Sequence, residues 1–277
     1  MDPIITLTTD FGSDDAYVAI VKGVILSTNP KVTIVDITHA IEPQNTIQAA
    51  FILNFAYHYF PKNSIHLAII DPGVGGERQG IILKTPSALL VAPDNGILSY
   101  VISELSLNEG ASGHYFQGLE AIKLKKGLEA VAITDPRFWR QPVSPTFHGR
   151  DIFAPVAAGL SLGISPYEFG EKINTIHVLS IPKPFLDSED NLVGHILYID
   201  HFGNLVTDIR SSSLPGRDSI IEVAGRRIPG ISSYYEQGEG LMAIAGSSGY
   251  LEISLRDGSA SDYLGIPAGD EIKVILS

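Results

Sequence analysis

The sequence predicts an α/β fold: an N-terminal α/β domain with a largely parallel sheet, then a smaller C-terminal all-β barrel domain. Two patterns carry this. In the first part of the chain, β-branched runs alternate with helical segments, as in strands joined by crossover helices. Toward the C-terminus, short apolar runs are separated by glycine or charged turns, the pattern of a small barrel or sandwich. A chain of 277 residues has room for one large and one small domain. The proline- and acid-rich stretch IPKPFLDSED reads as the linker, giving domains 1–182 and 191–277.

Taken in order, IITLTTDFG reads as a strand ending in a polar turn, and AYVAIVKGVILSTNP as an amphipathic helix stopped before Pro30. VTIVDIT is a second strand, TIQAAFILNFAYHYFP a helix, SIHLAIIDPG a third strand, and GIILKTPSALLVAPDNG two strands joined by a turn. Leu105 to Pro145 has a less regular pattern and reads as an excursion from the sheet. FHGRDIFAPVAAGLSLG is a loop feeding a helix with Pro155 near its start. The barrel strands are LVGHILYID, SIIEVAG, LMAIAG, YLEISL and EIKVILS. In parallel sheets functional side chains gather beyond the carboxyl ends of the strands, and Asp10, His39 and Asp71 all fall at such ends.

Composition narrows the function. The chain is 44% hydrophobic and 18% charged, which fits a globular rather than a disordered protein. A net charge of −12 with no basic stripe argues against nucleic acid as a partner. The absence of cysteine excludes disulfides and thiolate chemistry and fits a reducing interior. The N-terminal segment has no signal-peptide pattern and no apolar run reaches membrane-spanning length, so a cytoplasmic protein without a membrane partner is expected.

The loop DPGVGGER sets an acid, Asp71, and a cation, Arg78, on either side of flexible glycines. A carboxylate paired with a guanidinium can accept a hydrogen bond from water or a hydroxyl, although a purely structural ion pair has the same residues. TDFGSDD gathers Asp10, Asp14 and Asp15 at a strand-to-helix turn, either as helix caps or as acceptors for a ribose diol. PTFHGRD offers His148 as a group that orients water or moves a proton. IDHFGN with Asp200 and Asn204, and GSSG with Ser247 and Ser248, suit hairpin turns as well as binding. The eight histidines show no metalloprotease spacing, and no metal or other cofactor is expected.

Together TDFGSDDAYVA, VDITHAI, IIDPGVGGER, APDNGILSYV, PTFHGRDIFAP, IDHFGN and GSSGYLEI resemble the S-adenosyl-L-methionine hydroxide adenosyltransferases, relatives of fluorinase and chlorinase. The blocks occur in the same order along almost the whole chain. The resemblance implies hydrolysis of S-adenosyl-L-methionine to adenosine and L-methionine by a homotrimer with active sites at its subunit interfaces. It implies that Asp71, Arg78 and His148 hold the attacking water, that Asp10 grips the ribose diol, and that Asp15 and Asp200 lie near the methionine amine. It also places Phe147 beside the nucleoside, Asn204 on adenine, Tyr234 or Tyr235 stacked on adenine, and Ser247 at the methionine carboxylate. The chain departs from the fluorinase in having Ser248 where that enzyme has arginine, Gln44 where it has tryptophan, and Gly149 where a serine lines its halide pocket; Tyr17 replaces a small hydroxyl residue. The alternatives are a halogenase, which replaces water by a desolvated halide, and a non-catalytic S-adenosyl-L-methionine or adenosine sensor.

Overall fold

The computed structural model describes residues 2–105, 118–214, 216 and 218–275. These residues divide into two compact units, the first running to Ser180 and the second starting at Ile181.

The first unit contains β1 (Ile4–Thr9), α1 (Tyr17–Thr28), β2 (Thr33–Thr38), α2 (Thr46–Tyr57), β3 (Ser64–Ile69), β4 (Gly80–Lys84), β5 (Ala88–Pro93) and α3 (Ser99–Leu105). It continues with β6 (Leu119–Lys123), β7 (Glu129–Ile133), α4 (Ala154–Ser161), β8 (Gly170–Ile173) and β9 (Thr175–Leu179). The main sheet is mixed, in the order β2-β1-β3-β5-β4-β7-β8. Its β2-β1-β3-β5 half is parallel, and β4, β7 and β8 run antiparallel to their neighbours. Every residue of β3 is buried, as a central strand covered on both faces requires. Its side chains alternate between two cores. Ile65, Leu67 and Ile69 join α1 and α4 on one face, while Ala68, with Ile70 just beyond, joins α2 and α3 on the other.

The stretch Leu105 to Pro145, expected as an excursion from the sheet, instead contributes a strand to it. β7 lies within the main sheet between β4 and β8, and β6 pairs with β9 in a small sheet of its own. Both are strands of five residues. So short a run shows little period, and its pairing is decided by distant partners rather than by local propensity. Residues 106–117 of that stretch lie outside the described residues. The helix expected after FHG also begins earlier, as a π-helical turn Gly149–Phe153 that runs into α4.

The second unit contains β10 (Phe185–Leu186), β11 (Leu192–Ile199), β12 (Leu205–Arg210), β13 (Ile220–Val223), β14 (Arg226–Pro229), β15 (Leu241–Ala245), β16 (Tyr250–Leu255), α5 (Ala260–Leu264) and β17 (Glu271–Ile275). The strands form an antiparallel, nearly closed barrel-like sheet in the order β14-β13-β17-β11-β12-β16-β15, with β10 paired to β11. Ile196, Leu205, Ile253 and Ile272 are among its fully buried core residues. The stretch read as a linker therefore includes a two-residue strand. Among the described residues, no helix is long and apolar enough to cross a membrane.

Candidate functional site

The parallel strands β1, β2 and β3 deliver Asp10, His39 and Asp71 to one edge of the sheet, just beyond their carboxyl ends. From β3 the chain enters the loop Asp71–Gln79 and returns along β4. Two tight turns shape this loop, with Val74 N–H donating to the Asp71 carbonyl at 3.2 Å and Gly76 N–H to the Gly73 carbonyl at 3.0 Å. Gly75 adopts φ +78°, and a Cβ there would lie 2.2 Å from the Pro145 carbonyl oxygen. The loop therefore packs main chain to main chain against the segment leading to His148.

At the end of the loop, Arg78 Nε donates to Asp71 Oδ1 at 2.8 Å and its Nη2 donates to Asp71 Oδ2, a two-pronged pairing. The same Nη2 lies 2.8 Å from His148 Nδ1. A guanidinium has no lone pair to offer, so His148 Nδ1 must be the acceptor and the proton of the neutral ring sits on Nε2. The guanidinium also lies 5.3 Å from the centre of the Phe153 ring. Asp71 and Arg78 side chains are only 6% and 13% exposed. Desolvating such a pair costs about as much as its attraction returns, so stability alone does not explain it.

Burial first, and then the Arg78 guanidinium, hold the His148 pKa below its ordinary value of 6.5, with Asp71 and Asp151 acting in the opposite direction. The folded protein therefore favours neutral imidazole. The resulting stabilisation is complete above the unfolded value and is lost as pH falls through the lower folded value. The His148 titration, followed by NMR, is accordingly expected to have its midpoint below pH 6.5. A midpoint at or above pH 6.5 would contradict the neutral-imidazole assignment.

The segment bearing His148 is fastened from below by Asp151, whose side chain is fully buried. Arg150 donates to its two oxygens from Nε and Nη2, each at 2.7 Å, and Ser144 N–H donates at 2.9 Å. Burial raises the Asp151 pKa, but these donors and the Arg140 charge outweigh it and leave the carboxyl below its ordinary range.

Asp71 and His148 face a cavity of about 280 Å³ together with Asp10, Gln44, Thr146 and Phe147. Asp10 Oδ2 accepts the Gln44 N–H at 2.9 Å. Phe147 packs edge to face with Phe11 and Tyr17, with ring centres 6.0 and 5.3 Å away. The carboxylates of TDFGSDD are not caps: Ala16 holds the N-cap position of α1 and no side chain caps it. Asp15 is exposed and does not line the cavity. His39 serves the turn instead, its Nδ1 2.8 Å from Thr9 Oγ1 and its carbonyl accepting the Gly12 N–H at 2.9 Å. Phe11 and Thr146 were not singled out from sequence, although both lie inside the quoted blocks.

In the second unit, Asp200 Oδ1 accepts the N–H groups of Phe202 and Asn204, and Asp200 Oδ2 accepts from Asn204 Nδ2, all at 2.9 Å. Asn204 lines a cavity of about 520 Å³ with Phe202, Tyr235, Arg256 and Asp257, whereas Tyr234 does not. Ser247 is exposed on the turn after β15, and Ser248 Oγ donates to buried Glu252 at 3.1 Å. Among the described residues, no group of three or more His, Asp and Glu side chains is placed to hold a metal.

A carboxylate locked by a guanidinium, beside a neutral imidazole and beyond the carboxyl ends of parallel strands, sets an acceptor and a donor side by side at a cavity in the first unit of a two-unit α/β protein. The chain belongs to the S-adenosyl-L-methionine hydroxide adenosyltransferase family: the family's N-terminal domain matches residues 5–170 and its C-terminal domain residues 194–273. It is 33% identical to the (R)-S-adenosyl-L-methionine hydrolase of Salinispora tropica, over 98% of this chain and 97% of that protein. A fluorinase of Nocardia brasiliensis is 26% identical over 98% of this chain and 96% of that protein. An uncharacterised conserved protein from Thermotoga maritima superimposes with a TM-score of 0.84 at 32% identity, covering 98% of this chain and 100% of that one.

Proposed function

We propose that the protein hydrolyses S-adenosyl-L-methionine to adenosine and L-methionine, with Asp71, Arg78 and His148 holding a water in line with the C5′–S bond. One observation carries the reading: a single guanidinium bonds both Asp71 and His148, and those two line a cavity with Asp10 and Phe147. The water oxygen forms a bond to C5′ as the C5′–S bond breaks, and that bonding pair leaves on sulfur as a neutral thioether, so the leaving group needs no acid. The surplus water proton passes toward Asp71 as the C–O bond forms. Free water is a far weaker acid than a carboxyl group, so full deprotonation by Asp71 beforehand is excluded and alignment does most of the work. His148 Nε2–H orients the water as a donor. Asp10 holds the ribose diol, and Asp15, Asp200, Ser247 and Ser248 serve the methionine end.

On this reading the chain works in the cytoplasm as a homotrimer with active sites at subunit interfaces; the 75% exposure of Phe202 and the 51% exposure of Tyr235 beside the Asn204 cavity support a subunit contact on that surface. Sedimentation is expected to give three times the chain mass.

Incubation with S-adenosyl-L-methionine is expected to release adenosine and methionine in equal amounts. Preferential formation of 5′-halo-5′-deoxyadenosine in chloride or fluoride, or binding without turnover, would overturn the proposal. Asp10→Ala removes an acceptor for the diol and is expected to weaken substrate binding by roughly 10- to 100-fold, with a smaller change in kcat. Unchanged affinity in that variant would remove Asp10 from the binding site.

A further inference from the structure

The loop bearing Asp71 and Arg78 is held at both ends by two consecutive residues of the turn after β5. At the front end, Asn95 Nδ2 donates to the Ile70 carbonyl at 2.8 Å, immediately before Asp71. At the rear end, Asp94 N–H donates to the Gln79 carbonyl at 2.8 Å, immediately after Arg78. The need for such a bond is visible in the sheet. β3 and β5 pair only as far as Leu67 with Val91, while β5 continues alongside β4 to the pair Pro93 with Gly80. The two strands part where the loop begins, so the carbonyl of fully buried Ile70 is beyond that ladder. A buried carbonyl without a donor is costly, and the Asn95 amide supplies one across the gap.

Asn95 is itself fixed. Its Oδ1 accepts the Ile97 N–H at 3.3 Å, and its own N–H donates to the Pro93 carbonyl at 3.0 Å. The adjoining Asp94 carboxylate, buried, accepts the His177 N–H at 2.8 Å and lies 2.7 Å from His177 Nδ1, which anchors the turn to β9.

We infer that Asn95 is a positioning residue for the reaction: through the Ile70 carbonyl it sets the direction in which Asp71 leaves β3, and with it the Asp71–Arg78–His148 geometry. The inference rests on the proposed roles of those three residues. An error on the order of 1 Å in such a group costs about 10²-fold in rate, which one lost tether is enough to cause.

The test uses the full chain and two variants that keep an oxygen to accept the Ile97 N–H but have no donor able to reach Ile70. Asn95→Asp preserves the shape, and Asn95→Ser is the shorter alternative should the introduced charge impair folding. Both are expected to lower kcat by roughly 10- to 100-fold, with KM within about threefold of wild type on the same reasoning that only alignment changes, and with full adenosine-binding stoichiometry. A simple loss of folded protein would instead lower the stoichiometry in proportion to kcat. In Asn95→Ser, the His148 NMR titration is expected to move up toward the ordinary histidine value as its contact with Arg78 loosens, a shift that general destabilisation does not produce. Unchanged kcat and an unchanged His148 titration in a folded variant would overturn the inference. Asp71→Ala, run alongside, separates the two levels: activity lost there but kept in both Asn95 variants refutes the role of Asn95 alone, whereas wild-type protein that releases no adenosine refutes the proposed function.

Discussion

Arg78→Lys is expected to lower kcat by about 10²- to 10⁴-fold while leaving the affinity for S-adenosyl-L-methionine within a few-fold of wild type. Lysine keeps the charge, so a role for Arg78 as a mere counter-ion predicts a mild effect. The structure asks for more. Nε and Nη2 meet the two oxygens of Asp71 side by side, and Nη2 simultaneously reaches His148 Nδ1. A planar guanidinium does this with fixed angles, whereas an ammonium is a point charge on a flexible stem. Lysine would hold at most one partner well and leave the other to turn, and the water would lose its alignment. Asp71→Ala and His148→Ala should likewise depress kcat much more than binding, because in the proposed reaction each removes an interaction with the attacking water rather than with the bound substrate. Steady-state kinetics with calorimetric substrate binding checks all three. Losses of affinity as large as the losses of kcat would show that these groups bind substrate instead.

The largest expected effect on stability belongs to Asp151→Ala. Removing one partner of a buried, hydrogen-bonded ion pair costs about 3–5 kcal/mol, and the lower end applies here because Arg150 is 32% exposed. For a protein of this size that corresponds to a fall in Tm on the order of 10 °C. The substitution deprives the Ser144 N–H and the Arg150 fork of their acceptor and loosens the chain between them, which contains Phe147 and His148. Calorimetry should therefore show a lower Tm, and kinetics a lower kcat at temperatures where the variant is still folded. The wild-type contribution is complete above the unfolded aspartate pKa of about 3.9 and is lost as pH falls through the depressed folded value. The difference in Tm between wild type and variant should thus shrink in strong acid. A Tm unchanged at neutral pH would mean that Arg150 and Ser144 find other partners.

What the sequence made legible follows the range over which each contact acts. Asp71 and Arg78 are separated by a short glycine-rich loop, so their pairing is a local matter that residue types alone suggest. His148 joins them from 70 positions away, and only the resemblance to a family linked it to the acid and the arginine. β3 and β5 were readable as short, mostly apolar runs bounded by turn residues, whereas the place of β7 in the sheet is set by its pairing with β4 and β8 on either side. Asp94 and Asn95 sit in the quoted block APDNGILSYV, yet their effect passes through main-chain carbonyls, which every residue possesses and which leave no mark in a sequence. The cap reading of Asp14 and Asp15 failed for a related reason: the choice of which residue starts α1 fell to Ala16.

The contact of Gly75 with Pro145 bears on how this protein can be re-engineered. Since the strips around those two positions touch through their peptide planes, neither can be redrawn while the other is kept. A chimera taking residues 71–79 from one relative and 143–149 from another would join two surfaces never cut to match, so a productive transplant has to carry both as a single cassette.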